Sequence, residues 1–146
     1  MMRNNKSNHF YIDKSNVDFF KSSVILNSSR SGGIIQRENF VLLAAYGFYI
    51  GYKTSFLENK TKGLDSFVMN QLTENELSIL YAIAIADSED VEIVSNDVDV
   101  ANIAMEYANT GIIALKDLEK KSQKNNEIKK FQLEIQDAIN ESSNSD

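Results

Sequence analysis

The apolar positions of this chain are concentrated between Arg37 and Leu118, where they recur at three- and four-residue spacing in three segments. The first predicts a helix over about Arg37–Lys53. Phe40, Leu43, Ala44, Gly47 and Ile50 lie on one side of it, and Leu42, Tyr46 and Tyr49 on another. A helix apolar on most of its surface is covered on most of its surface. In so short a chain that means a central helix, or one that a partner covers. The second segment predicts a helix over about Glu74–Asp87 that buries Leu77, Leu80, Tyr81, Ala84 and Ile85. Thr73 and Glu76 stand at the spacing of a capping box at its start. The third predicts a helix from about Asp97 to Asn109, capped by Ser95 or Asn96, with Val98, Ala101, Met105 and Ala108 on one face. Its first turn carries Asp97 and Asp99, where the helix dipole favours acids.

Between these segments the pattern weakens. Val91-Glu92-Ile93-Val94 alternates and predicts one short strand with no evident partner. Gly111 reads as a left-handed helix terminator. Ile112–Lys121 then reads as a further helix, Ser122–Asn126 as a break, and Glu127–Asn140 as an amphipathic helix with Ile128, Phe131, Ile135 and Ile139 on one side. Thr54–Asn70 reads as a long ordered connection. Before Arg37 the chain is Ser- and Asn-rich, with a disordered start, a short helix around Val17–Leu26 and a linker at Ser28–Gly33.

The expected organisation is thus a largely flexible N-terminal segment at 1–36 with a short helix, a helical core domain at 37–121, and an amphipathic C-terminal helix and tail at 122–146. The expected fold is mainly α: a small single-domain helical bundle with at most a short strand or hairpin. Its core is expected from Leu43, Ala44, Gly47, Leu80, Tyr81, Ala84, Ala101, Met105 and Ala108.

Composition narrows the chemistry. The formal charge of the 146-residue chain is −6, from 21 acidic and 15 basic residues. A nucleic-acid binder needs a basic stripe to neutralise phosphates. The clusters Lys120-Lys121-Lys124 and Lys129-Lys130 are diluted by Glu119, Glu127 and Glu134, so no direct DNA binding by the chain alone is expected. The absence of cysteine excludes disulfides, thiolate catalysis and Cys-type zinc sites. Met1–Asn8 has no apolar signal core, and the longest uncharged run, Phe40–Tyr52, is too short to span a bilayer. These features predict a cytoplasmic protein without a membrane segment.

No catalytic constellation stands out, and neither an enzymatic activity nor a cofactor is expected. His9, the single histidine, falls in the segment read as disordered, whereas a nucleophile–histidine pair would need it ordered and close to a serine. Asp87, Glu89, Asp90 and Glu92 crowd one turn and would suit Mg²⁺ or Ca²⁺, but the spacing matches no calcium loop and is more simply a solvated acidic connection. Gly32-Gly33-Ile34 lacks the Lys-Ser/Thr of a phosphate loop. Gly47-Phe48-Tyr49-Ile50-Gly51 is a GxxxG pattern, which suits close packing in a soluble core or contact with a partner helix. The stripe of Ile128, Phe131, Ile135 and Ile139 either folds back on the domain or docks in a partner's groove. The interface candidates are accordingly Tyr46, Tyr49, Ile50, Ile128, Phe131 and Ile135. A small helical regulator or DNA-binding module is the competing reading, with Glu74–Asp87 and Asp97–Asn109 as a helix-turn-helix. The acids Asp97, Asp99 and Glu106 on its second helix disfavour that reading near phosphates.

Three phrases, in order, carry a family resemblance: Phe40-Val41-Leu42-Leu43-Ala44-Ala45-Tyr46-Gly47-Phe48 followed by Gly51-Tyr52-Lys53; Leu80-Tyr81-Ala82-Ile83-Ala84-Ile85-Ala86-Asp87; and Ile103-Ala104-Met105-Glu106-Tyr107-Ala108-Asn109-Thr110-Gly111-Ile112. Together they resemble small accessory proteins of bacterial anti-phage operons. These include the small proteins associated with DNA phosphorothioation and the small third subunit of Lamassu-type systems. The resemblance spans roughly residues 37–118 and leaves out the N-terminal segment and the C-terminal helix. Lys53 fits the family's basic position after the first helix, while Asn59-Lys60-Thr61-Lys62-Gly63 is a looser match. The resemblance implies a non-catalytic accessory subunit of a defence complex. It would bind a coiled-coil ATPase related to structural-maintenance-of-chromosomes proteins and help control a nuclease effector. The family has no catalytic motif, so no active-site residue is implied.

Overall fold

The computed structural model describes residues 9–23, 26, 32–56 and 67–143. Over these residues the protein is mainly α, with helices α1 (Val17–Ser22), α2 (Gly32–Ile50), α3 (Glu74–Ser88) and α4 (Asp97–Ser143). Two-residue strands β1 (His9–Phe10) and β2 (Phe67–Val68) pair antiparallel, with His9 opposite Val68 and Phe10 opposite Phe67. The chain divides into two compact units, residues 1–114 and 115–146.

In the first unit, local chemistry fixes the helix ends. Thr73 Oγ1 accepts the Glu76 amide at 3.2 Å, and Glu76 reaches back to the Thr73 amide at 3.4 Å, which completes the predicted box at the start of α3. The same Glu76 carboxylate accepts Arg37 Nε at 3.0 and 3.1 Å, so one side chain caps α3 and ties it to α2. Asn96 starts α4 by accepting the Asp99 amide at 3.2 Å. All nine expected core residues are buried except Tyr81, which is half-buried.

The N-terminal segment departs from expectation. Phe10 and Phe20 are each 1% exposed, and Phe10 meets Phe40 edge-on with ring centroids 5.1 Å apart. The Leu26 carbonyl accepts the Asn39 side chain at 3.0 Å. Ser- and Asn-rich composition suggested a flexible segment, but a few anchors outweigh it, since a fully buried Phe contributes about 1.5–3 kcal/mol. His9 is therefore a strand residue rather than part of a disordered end. α1 ends at Ser22, short of the expected Leu26, while Val24 and Ile25 lie outside the described residues. So do residues 1–8, Ser28–Ser31 of the predicted linker, Leu57–Ser66 of the middle connection and Asn144–Asp146 of the tail.

Three further corrections concern helix continuity. α2 begins at Gly32, five residues before the predicted start. Val91–Ser95 is a 3₁₀ turn rather than a strand, opened by Asp90 Oδ1 accepting the Glu92 amide at 3.0 Å. α4 runs unbroken from Asp97 to Ser143, so Gly111 does not terminate a helix and Ser122–Asn126 is not a break. Ser, Gln and Asn weaken a helix only slightly, and no proline interrupts the segment.

Gly111 and Gly47 have a different role. A Cβ on Gly47 would lie 2.7 Å from the Tyr107 carbonyl carbon, and one on Gly111 would lie 3.0 Å from the Leu43 carbonyl carbon. The close packing expected of Gly47-x-x-x-Gly51 thus uses only Gly47. Gly51 lies just past the end of α2 at φ +107° with open space around it.

Candidate interaction surface

α2 presents two unlike sides. Phe40, Leu43, Ala44 and Gly47 are buried, whereas Leu42 and Tyr49, seven residues apart, point outward, with Tyr49 85% exposed. Of the three candidates on this helix, Tyr49 is open to solvent and Tyr46 and Ile50 are half-covered. Exposed Tyr52 and Phe48 extend the apolar surface, although Phe48 also packs edge-on against Tyr107 at 5.4 Å between centroids.

The C-terminal end of α2 is held by a polar cluster. Asp87 accepts Lys53 Nζ at 2.9 Å and the Tyr107 hydroxyl at 2.8 Å. Burial acts to raise the Asp87 carboxyl, but the hydrogen bonds from Lys53 and Tyr107, with the Lys53 charge, outweigh it and hold the carboxyl below its ordinary value. Burial, the bond to Asp87 and the carboxylate charge push the Tyr107 hydroxyl up to about 12. Asp87 is thus committed to two side chains, and Asp90 to a turn. Among the described residues no three His, Asp, Glu or Cys side chains converge as metal ligands.

A second polar group is deeply enclosed. Asn109, 5% exposed in the middle of the apolar face of α4, accepts Asn16 Nδ2 at 2.9 Å and donates to the carbonyls of Thr54 and Ser55 at 3.2 Å each. Beside it the hydroxyls of Thr54 and Thr110 lie 2.7 Å apart, and the Thr54 amide donates to the Glu106 carbonyl at 3.1 Å. These bonds join the segment before α1, the segment after α2, and α4. They satisfy backbone groups rather than presenting a reactive atom. Sequence reasoning passed over Asn16, Asn109 and Thr110. The available signal was two adjacent polar residues, Asn109-Thr110, inside an otherwise apolar helical face.

In the second unit, every residue from Lys120 to Ser142 is exposed. Ile128 is 52% exposed, Phe131 63%, Ile135 45% and Ile139 54%, so the predicted stripe exists and lies open. Leu133, also exposed, falls off the stripe. No helix among the described residues is long and apolar enough to cross a membrane. Comparison with family models, curated proteins and solved structures finds no significant match to this chain.

Proposed function

We propose that this protein is a non-catalytic accessory subunit that works by binding other proteins, in a bacterial anti-phage complex with a coiled-coil ATPase related to structural-maintenance-of-chromosomes proteins and a nuclease effector. The observation that carries the interaction reading is the open apolar stripe on α4. Ile128, Phe131, Ile135 and Ile139 are about half exposed, and covering the exposed part of each would contribute roughly 1 kcal/mol. The exposed Leu42 and Tyr49 of α2 support the same reading from the first unit. The three ordered phrases between Phe40 and Ile112 support the defence setting. The net negative charge and the acidic first turn of α4 support contact with proteins rather than with DNA.

The test is purification of the tagged full chain from its native operon. A coiled-coil ATPase and a nuclease encoded beside it are expected to co-purify in fixed proportion, while the chain alone hydrolyses no ATP and cuts no DNA. Recovery of the chain without these proteins, or robust metal-dependent cleavage by the chain alone, overturns the proposal.

A further inference from the structure

We infer that the C-terminal part of α4 receives an amphipathic helix of another protein whose apolar stripe is edged by lysine or arginine. The inference rests on the reading of this chain as an interaction subunit and adds the chemistry of the partner. Ile128, Phe131, Ile135 and Ala138 follow one another at spacings of three, four and three, which places them at the a and d positions of a heptad. Such a seam seats one facing helix. Glu127, Glu134 and Glu141 recur every seven residues and fall at g, along one edge of the seam. All three are exposed, and none forms an ion pair with a described residue, whereas Lys121 pairs with Asp117 at 3.1 Å. The opposite edge carries Asn125, Gln132 and Ile139, which are uncharged.

This pattern discriminates among occupants. A second copy in antiparallel register sets the glutamate rows against each other. A second copy in parallel register sets them against Gln132 and Ile139, which carry no charge. Its seam would also be short, because Lys121, Lys124 and Ser142 occupy the flanking a and d positions. An anionic lipid surface meets the same acidic row. A helix with basic residues beside its apolar stripe covers the isoleucines and neutralises the glutamates together, the arrangement by which e and g charges select coiled-coil partners.

The experiment uses the full chain and three synthetic helical peptides. Two share isoleucine and leucine at a and d, one with lysine and the other with glutamate at every e and g. The third has the lysine peptide's composition in scrambled order. The lysine peptide is expected to bind at least about tenfold more tightly than the glutamate peptide, with the preference shrinking as salt rises. The scrambled peptide should not bind. E127K/E134K/E141K should reverse the preference, and Phe131→Asp should abolish binding with the circular dichroism and melting temperature of the chain unchanged. Equal binding of the two ordered peptides, binding of the scrambled one, or binding that survives Phe131→Asp overturns the inference. So does a concentration-dependent dimer lost in Phe131→Asp, or binding to phosphatidylserine vesicles in preference to the lysine peptide. If Phe131→Asp fails to fold, the charge-reversal variant decides alone. Failure here leaves the accessory-subunit reading standing, because that reading is tested separately by co-purification from the operon.

Discussion

Gly47 of α2 and Gly111 of α4 face each other, each against the backbone of the other's helix: a Cβ on Gly47 would overlap the Tyr107 carbonyl, and one on Gly111 the Leu43 carbonyl. Each carbonyl belongs to the residue four before the opposing glycine, so the contact is reciprocal. Alanine in an unobstructed helix position would stabilise by roughly 0.5–1 kcal/mol relative to glycine. Here the added methyl meets backbone, which cannot rotate away, and overpacking of this kind costs about 1–3 kcal/mol. Gly47→Ala and Gly111→Ala should each lower the denaturation midpoint, and Gly111→Val should lower it further. A raised midpoint for Gly111→Ala would show that the helices do not touch there.

The left-handed terminator that Gly111 suggested is found elsewhere, on a glutamate. Glu89 closes α3 at φ 56°, its amide donating to the Ile85 carbonyl at 2.8 Å. Its side chain is exposed, so removing it loses little contact. Glu89→Gly should therefore stabilise the protein by about 1 kcal/mol, because glycine takes this conformation without steric cost. Thermal or chemical denaturation reads the gain directly, and a destabilised variant would assign the carboxylate a role that outweighs the backbone relief.

These two positions show where sequence reasoning reaches and where it stops. Thr73 and Glu76, and the apolar spacing of Leu43, Leu80 and Met105, act within a few residues of themselves, and each stands where the pattern put it. Gly111, Phe10 and Asn109 act across long separations: Gly111 against Leu43, Phe10 against Phe40, Asn109 against Asn16. One-dimensional patterning carries no record of such meetings. Gly111 read as a terminator because glycine is common at helix ends, yet its reason is a crossing helix. Phe10 read as part of a flexible segment because the stretch before Arg37 is rich in Ser and Asn as a whole. The exposure of Ile128, Phe131 and Ile135 was legible because an exposed helix obeys its own periodicity, while the half-covered state of Tyr46 and Ile50 depends on what packs beside α2.

Tyr107 and Asp87 give the protein a pH signature at both ends. The Tyr107 hydroxyl is raised from 10.0 to about 12, so its contribution is fully present below pH 10 and is lost as the pH rises toward 12. Ultraviolet titration should show tyrosinate absorbance still growing near pH 12, and Tyr107→Phe should remove that late phase. The Asp87 carboxyl is lowered from 3.8, so its contribution is present above that value and disappears as the pH falls through the lower folded value. Asp87→Asn should be less stable than the parent at neutral pH, with the difference narrowing in acid. A difference independent of pH below 4 would show that the Lys53 and Tyr107 bonds do not depend on the charge of Asp87.

Asn109 is a buried polar residue that three segments share. Its side chain joins Asn16 to the carbonyls of Thr54 and Ser55 across the core of the first unit. Asn109→Ala would leave the buried Asn16 amide and the part-buried Thr54 and Ser55 carbonyls without that partner, and a buried polar group stranded in this way costs about 1–3 kcal/mol. A loss of about 2 kcal/mol or more is expected in chemical denaturation. Asn109→Asp should be worse, since a carboxylate cannot donate to the Thr54 and Ser55 carbonyls and is itself buried. Asn125→Ala, on the exposed part of α4, supplies the comparison and should change stability by less than about 0.5 kcal/mol. If Asn109→Ala behaved like Asn125→Ala, the segments before α1 and after α2 would be held to α4 by apolar contacts alone.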